Sequence, residues 1–390
     1  MLRYLTAGES HGQALVVIVE GLPAGLKVTA EDIGGELARR RLGYGRGPRQ
    51  RFEQDEIVLV GGIRHGRTLG SPVAIEIKNT EWTRSDIWHE EMSPAPGTTK
   101  KPLTAPRPGH ADLTGMQKYG FDDARDVLER ASARETAARV AAGALAKLLL
   151  STINVSVISH VLQLGSVRST TINRPTPSDL TRVDESEVRC FDKDAEARMI
   201  AEIELAAKDG DSLGGVIEVL AYGLPVGLGS YVHWDRKIDA SLAQAMMSIQ
   251  AVKGVEIGDG FEVAGRRGSQ AHDAITWDEG NKSYRRETTL AGGTEGGMTT
   301  GEVLVVRAAM KPLATLNRPT LKTVDIKTKQ ETVSFKERTD VTAVPALGVI
   351  AETMVALVLA NEAQRKFGAD SVDEFVRNAN SYAAALKARN

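Results

Sequence analysis

Apolar residues fall into six short runs that either alternate with polar ones or are dense in β-branched side chains: "ALVVIVEGL", "EIVLVGGI", "PVAIEIKN", "VSVISHVLQL", "GGVIEVLAYGL" and "GEVLVVRAAM". Such runs, punctuated by glycine, proline and charge, predict strands. Apolar positions recur at helical spacing over 29–41, 132–150, 194–208, 239–252, 345–366 and 371–388, which predicts helices there. Thr29 and Asp32 have the spacing of a capping box, and so do Ser132 and Glu135, so the second helix is expected to begin at Ser132. Strands and helices show no regular βαβ alternation, which favours α+β over a doubly wound sheet. No internal repeat or composition break divides residues 1–390, so they read as a single domain. The stretch 80–105, "TEWTRSDIWHEEMSPAPGTTKKPLTA", reads as a long mobile loop.

Composition narrows the function classes. With 42% apolar and 26% charged residues, the 390-residue chain can bury a sizeable core. A formal net charge of -2 argues against a general nucleic-acid binder. The single cysteine, Cys190, excludes an intramolecular disulfide and reads as a packing residue. "MLRYLTAGESHG" lacks the pattern of a signal peptide, and the apolar runs "ALVVIV" and "VALVLA" fall short of a bilayer span, so a cytoplasmic protein away from any membrane is expected.

Five segments could carry chemistry. "AGESHG" places Ser10 beside His11; it fits Gly-x-Ser-x-Gly, but a strand follows where a nucleophile elbow needs a helix, so a polar turn is the alternative. "RRRLGYGRGPRQR" holds six arginines and no acid. The first three can be explained by a helix C-terminus, whereas Arg46, Arg49 and Arg51 in a glycine-rich loop suit a multiply anionic small molecule, with RNA as the rival ligand. "LERASARETAARVAAGALAKLLL" is a core helix whose start, between Arg130 and Arg134, is an anion-binding position. "RPGHAD" sets Arg107, His110 and Asp112 on a turn, and Asp340 precedes the last long apolar helix, where an ordinary cap or salt-bridge role is the alternative to catalysis. His65, His89, His160, His233 and His272 lack metal-ligand spacing.

Taken together, "GESHG", "RRRLGYGRG", "RPGHAD", "ERASARETAARVAAGA", "QAVKGVEIGDGF", "GGTEGGMTTGE", "AAMKPLAT" and "RTDVTAVPA" resemble the chorismate synthase family, in order and over essentially the whole chain. The departures are small: the family often has Ser or His at Thr339, Cys at Thr342 and a second Ser at Ala131. The resemblance implies a carbon–oxygen lyase that converts 5-enolpyruvylshikimate 3-phosphate to chorismate and phosphate, the last step of the shikimate pathway. The reaction is a 1,4-elimination that requires reduced FMN without net oxidation. It implies a β-α-β sandwich with antiparallel sheets inside and helices outside, assembled as a homotetramer. By the same resemblance Arg40, Arg46, Arg107, Arg134 and Arg338 surround the trianionic substrate. His110 protonates near the phosphate, His11 protonates the reduced flavin, and Asp340 takes the proton with it. An imidazole suits such transfers because its ordinary pKa lies near neutrality. The flavin is expected against Arg130, Ala131, Ser132, Gln250, Ala251, Gly296, Lys311, Pro312, Leu313, Ala314, Thr315 and Arg338. Arg40 and Arg46 are also positions the family associates with NADP. No reductase segment is evident, so externally reduced FMN is expected, with NADPH as the other reductant. A flavin- or NADPH-dependent oxidoreductase is the alternative activity, although no G-x-G-x-x-G follows a strand.

Overall fold

Alternation along the first strands decides which way they face. The structure, a computed structural model, describes residues 1–47, 49, 53–97, 99, 101–171, 173–335 and 339–389. Strands β1 (Arg3–Ala7), β2 (Ala14–Glu20), β3 (Ile57–Gly61) and β4 (Val73–Lys78) form an antiparallel sheet in the order β1-β2-β4-β3. Leu15, Val17 and Val19 of β2 are fully buried on its inner face, as are Val73, Ile75 and Ile77 of β4, while Leu5, Ile18 and Val60 are exposed. A second antiparallel sheet joins β5 (Ser156–Leu164), β6 (Val167–Arg168), β7 (Gly215–Tyr222), β8 (Val252–Ile257) and β9 (Leu304–Met310) in the order β8-β9-β7-β5-β6.

The helices that matter most lie between these sheets. α6 (Thr136–Ser151) packs against β2, and α9 (Val344–Phe367) against α6, β5 and β7, with α1 (Ala30–Arg41) beside both. The mixed β-α-β fold with antiparallel sheets is as expected, and α6 and α9 are its layer between the sheets. The reason is compositional: α6 and α9 are apolar around almost their whole circumference, and such a helix is stable only when covered on all sides. α9 is long and apolar enough to cross a membrane by length and composition, yet here it is the central core helix. Around this frame lie α2 (Thr80–Arg84), α3 (Asp86–Glu91), α4 (Asp112–Tyr119), α5 (Arg125–Ala131), α7 (Lys193–Asp209), α8 (Ile238–Met247) and α10 (Val372–Arg389).

Close approach of α6 and α9 depends on one missing side chain. A Cβ at Gly143 would overlap the Cβ of Thr353 and stand 2.8 Å from its Cα and carbonyl oxygen. Ala is ordinarily favoured over Gly in a helix by about 1 kcal/mol, but overpacking between two buried helices costs about 1–3 kcal/mol. The steric effect wins because Thr353 is itself fully buried on a covered helix. Gly143→Ala is therefore expected to lower thermal stability; a melting temperature at or above that of the parent would show that the helices can part freely.

Two expectations about helix starts are resolved differently. Thr29 and Asp32 form the capping box, Asp32 N–H donating to Thr29 Oγ1 at 3.1 Å and Thr29 N–H to Asp32 Oδ2 at 2.8 Å. At Ser132 the box does not close. A 3-10 turn, Ala133–Glu135, intervenes and α6 begins at Thr136. Glu135 instead turns to Thr6 Oγ1 (2.9 Å), Arg139 Nε (2.9 Å) and Gln250 Nε2 (3.0 Å), three donors that outweigh a single cap bond. The stretch 80–105 carries the two short helices α2 and α3.

Candidate active site

The turn between β1 and β2 carries Ser10 and His11, and it is pinned from several sides. Ser10 N–H donates to Glu129 O at 2.9 Å, and Asn79 Nδ2 donates to Glu9 O (3.1 Å) and Gly12 O (2.6 Å). The following strand, not a helix, rules out the nucleophile-elbow geometry. His11 stands between two buried carboxylates: Nδ1 lies 2.8 Å from Glu129 Oε1 and Nε2 lies 3.3 Å from Glu81 Oε2. The Trp88 ring stacks on the imidazole with centroids 3.9 Å apart, and the Arg125 guanidinium lies 5.2 Å from the Trp88 ring centroid.

The second histidine is held in the same way. Asp112 opens α4, is completely buried, and lies 2.5 Å from His110 Nδ1. Arg107 grips that carboxylate through Nε (2.8 Å) and Nη2 (3.0 Å), and reaches Thr315 Oγ1 with Nη1 at 2.9 Å. Burial pushes the Asp112 carboxyl up, but the hydrogen bonds from His110 and Arg107 outweigh it and hold the group well below the usual carboxylate range. An ionised Asp112 favours the proton of His110 on Nδ1, which leaves Nε2, 3.4 Å from Arg107 Nη2, as the nitrogen that can exchange one.

The arginine run separates because successive helical residues point about 100° apart. Arg39 enters the core beside Glu352, Arg40 donates to Thr136 Oγ1 (3.0 Å) and Ala133 O (3.1 Å), and Arg41 reaches Glu53 O (2.5 Å). In the loop beyond, Arg46 Nε lies 2.8 Å from Asp340 Oδ2, while Gly47 N–H donates to Asp340 Oδ1 at 2.6 Å. A Cβ at Gly47 would sit 3.0 Å from that oxygen, so glycine lets the backbone amide reach the carboxylate. Arg49 donates to Ser10 O at 2.8 Å and pairs with Glu53 at 3.1 Å. Arg134 bonds Asn79 Oδ1 at 3.1 Å and forms a tight ion pair with Asp55. Burial lowers the Arg40 pKa to about 9, with the charges of Arg134, Arg46 and Arg49 adding to it against the pull of Asp55. Arg40 remains cationic at neutral pH, in a place where a further negative charge would be welcome.

These side chains line one cavity of about 460 Å³. It is faced by His11, His110, Arg40, Arg46, Arg49, Arg107, Arg134, Lys311 and Asp340, so Asp340 is the single carboxylate on the described lining against six cations. Glu53, Asp55 and Asp112 stand behind the wall. Ala131, Ser132, Gln250, Ala251, Lys311, Pro312, Leu313, Ala314 and Thr315 form one side. Leu128, Ile249, Met310, Leu347 and Ile350 give it an apolar floor. Among the described residues, four polar atoms of the lining side chains, Arg46 Nε and Nη1, Arg134 Nη2 and Gln250 Oε1, are buried without a hydrogen-bond partner, although Arg46 Nε is ion-paired to Asp340 and Arg134 Nη2 lies 3.6 Å from Glu53. Such atoms are costly unless a ligand satisfies them.

A family model described as "Chorismate synthase" matches residues 2–363. The chain belongs to the chorismate synthase family. The "Chorismate synthase" of Thermobifida fusca (strain YX) is 59% identical over 399 residues, covering 100% of both chains. That of Streptomyces coelicolor is 58% identical over 397 residues, covering 100% of this chain and 99% of the relative. A solved structure titled "Crystal Structure of Chorismate Synthase" shares 39% identity, covers 99% of this chain and 98% of its own, and superposes with a TM-score of 0.79.

Of the residues the family resemblance singled out, His11, His110, Asp340, Arg40, Arg46, Arg107, Arg134, Ala131, Ser132, Gln250, Ala251 and Lys311 to Thr315 all face the cavity. Arg130 does not: its guanidinium turns back to Thr6 O (2.9 Å) and Gly8 O (3.0 Å), bracing the turn that carries His11. Gly296 is also absent from the described lining; it sits in the hairpin of Thr294–Glu295 and Met298–Thr299 beside Tyr231. Arg338 and Arg51 lie outside the described residues. Trp88, Asn79, Glu129, Glu81, Glu53 and Asp55 were not singled out by the sequence. Each acts on a partner 27 or more residues away in the chain, for example Glu129 on His11, and no local motif marks such pairs.

Proposed function

We propose that this member of the chorismate synthase family binds 5-enolpyruvylshikimate 3-phosphate in this cavity and eliminates phosphate to form chorismate. One observation carries the reading: six cations and two carboxylate-held histidines face a single space large enough for a small molecule. The substrate carries two carboxylates and a phosphate, and guanidinium forks match such groups in pairs of hydrogen bonds. Arg107, locked by Asp112 and Thr315, is a rigid anchor. Arg46, whose buried Nη1 has no hydrogen-bond partner among the described residues, is the group most in need of an anionic oxygen.

The elimination breaks a C–H and a C–O bond and forms a C=C bond, releasing a proton and phosphate. His110 delivers a proton from Nε2 toward the leaving oxygen, its Nδ1 being occupied by Asp112. Asp340, oriented by Arg46 and the Gly47 amide, accepts the proton that leaves carbon. The apolar floor excludes water and strengthens each of these charges.

Reduced FMN fits the side formed by Ala131, Ser132, Gln250, Ala251 and Lys311 to Thr315. Gln250 Oε1 is a buried acceptor without a partner, suited to a ring N–H, and Ala251 holds a positive φ of 65° that keeps its backbone against the cavity. Lys311, which bonds Gly109 O, and Ser132 are the groups that would hold its phosphate. When bound, it lends electron density to the substrate and recovers it, so no net oxidation results. We read the flavin as supplied already reduced, with NADPH, which the family associates with Arg40 and Arg46, as the other reductant. The exposed Leu5, Ile18 and Val60 on the first sheet offer an apolar surface to the homotetramer inferred from the family, which sedimentation would measure; a cytoplasmic location is inferred from the family alone.

The test is an anaerobic assay with purified protein, the enolpyruvyl substrate and chemically reduced FMN, following chorismate and phosphate together. Equimolar release of both, absent with oxidised FMN, is expected. Folded protein that binds FMN, consumes NADPH and forms no chorismate would replace the reading with an oxidoreductase.

A further inference from the structure

We infer that Glu129 is a positioning residue that fixes the ring tautomer and orientation of His11, so that Nε2 is the nitrogen that exchanges protons. The inference rests on the reading of His11 as a proton carrier of the cavity. Glu129 is buried on α5, 3% exposed, and its two oxygens are shared among three donors. Oε1 meets His11 Nδ1 at 2.8 Å and Arg125 Nη1 at 3.1 Å, and Oε2 accepts the His11 backbone N–H at 2.8 Å. The Glu129 carbonyl also accepts Ser10 N–H, so side chain and backbone grip the same turn.

Burial pushes the Glu129 carboxyl up; the bonds from His11 and the charges of His11 and Arg125 overcome this and hold it below its ordinary value. An ionised carboxylate accepts only, so Nδ1 must carry a proton and donate it. The contact at the other nitrogen is looser. Glu81 lies 3.3 Å from Nε2 and 3.5 Å from Arg49 Nη1, on a helix of five residues without a side-chain cap. Trp88 covers one face of the ring and prevents it from turning over. The groups around the imidazole thus hold Nδ1 firmly and leave Nε2 the place where a proton is taken and given.

Glu129→Gln separates this role from simple scaffolding. The amide keeps the shape but offers one acceptor and one donor where three donors converge. If its oxygen stays on the His11 backbone N–H, its NH2 faces Nδ1 and moves the ring proton to Nε2. Two measurements follow, one independent of activity. In protein labelled with 15N at histidine, His11 is expected to show a protonated Nδ1 in the parent and a protonated Nε2 in Glu129→Gln. In the anaerobic assay kcat is expected to fall about 10–100-fold with KM changed less than about three-fold. Glu129→Asp, which retains the charge, is expected to recover part of that loss. His11→Ala combined with Glu129→Gln is expected to be no slower than His11→Ala alone, since both act through one group. An unchanged tautomer, or losses that multiply in the double variant, would overturn the inference. A parent protein that forms no chorismate yet shows the tautomer switch would instead sink the proposed function and leave the positioning intact. Should Glu129→Gln fail to fold, the tautomer and kcat of Glu129→Asp decide: parent-like values in both would refute the role.

Discussion

His110→Ala is expected to lower kcat for chorismate formation by about 10²–10⁴-fold, the range that a positioned proton donor contributes. The expectation is sharp because the substitution removes little else. His110 is half-buried on a turn, and its loss leaves Asp112 still gripped by Arg107 through two hydrogen bonds, so no carboxylate is stranded. Arg107 retains Thr315 as well, and the anion clamp stays in place. KM for the substrate should therefore move less than about three-fold while kcat collapses, the pattern of an interaction made chiefly in the transition state. Asp112→Asn is a poorer probe, because it disturbs Arg107 and His110 together. Steady-state rates over substrate concentration, with saturating reduced FMN, distinguish the cases. A His110→Ala enzyme within ten-fold of the parent kcat would remove His110 from the proton-donor role.

How much of this was legible in the sequence depends on whether a residue acts locally. The capping box at Thr29, the strand faces of β2 and β4 and the helical period of α7 depend on neighbours a few residues away, and the chain displays them directly. The same holds for RPGHAD, where Arg107, His110 and Asp112 form one hydrogen-bonded cluster within six residues. The supporting carboxylates were not legible. Glu53 and Asp55 sit in an ordinary-looking acidic stretch, and only folding brings both under Arg134. Trp88 looked like part of an unstructured loop because α2 and α3 lack side-chain caps and run only five and six residues; its stacking on His11 is a tertiary fact. At Ser132 the local signal was present but lost to competition from Thr6, Arg139 and Gln250 for Glu135. Inward placement of α9 could have been read from its nearly unbroken apolar circumference, which argues against an outer layer.

Glu352→Ala is expected to destabilise the fold by about 3–5 kcal/mol, because it strands a buried cluster of cations. Glu352 is completely buried in the middle of α9, among otherwise apolar neighbours. Its Oε2 accepts from Arg39 Nη1 at 2.7 Å and Lys147 Nζ at 2.9 Å, and its Oε1 from Arg39 Nη2 at 2.9 Å, Ser159 Oγ at 2.7 Å and Arg189 Nη2 at 3.1 Å. Three cations from α1, α6 and the segment before α7 thus converge on one carboxylate, and among the described residues Glu36 and Asp184 are the other carboxylates that pair with them. Burial would push the Glu352 carboxyl up, but Arg39, Lys147 and Arg189 prevail and hold it well below the usual carboxylate range. Its contribution is therefore fully present above the unfolded-state value of about 4.3 and is lost as pH falls from there toward the folded-state value. Denaturant unfolding at fixed protein concentration should show the large loss at pH 7, and a smaller difference between parent and variant as the pH is lowered below about 4. The consequence reaches the cavity, because Arg39 and Arg40 are adjacent on α1: the carboxylate that anchors Arg39 in the core also sets the rotation that points Arg40 at the substrate space. A Glu352→Ala protein that unfolds within 1 kcal/mol of the parent at neutral pH would mean that water or local rearrangement satisfies those cations, and that the rotation of α1 is set by its apolar contacts alone.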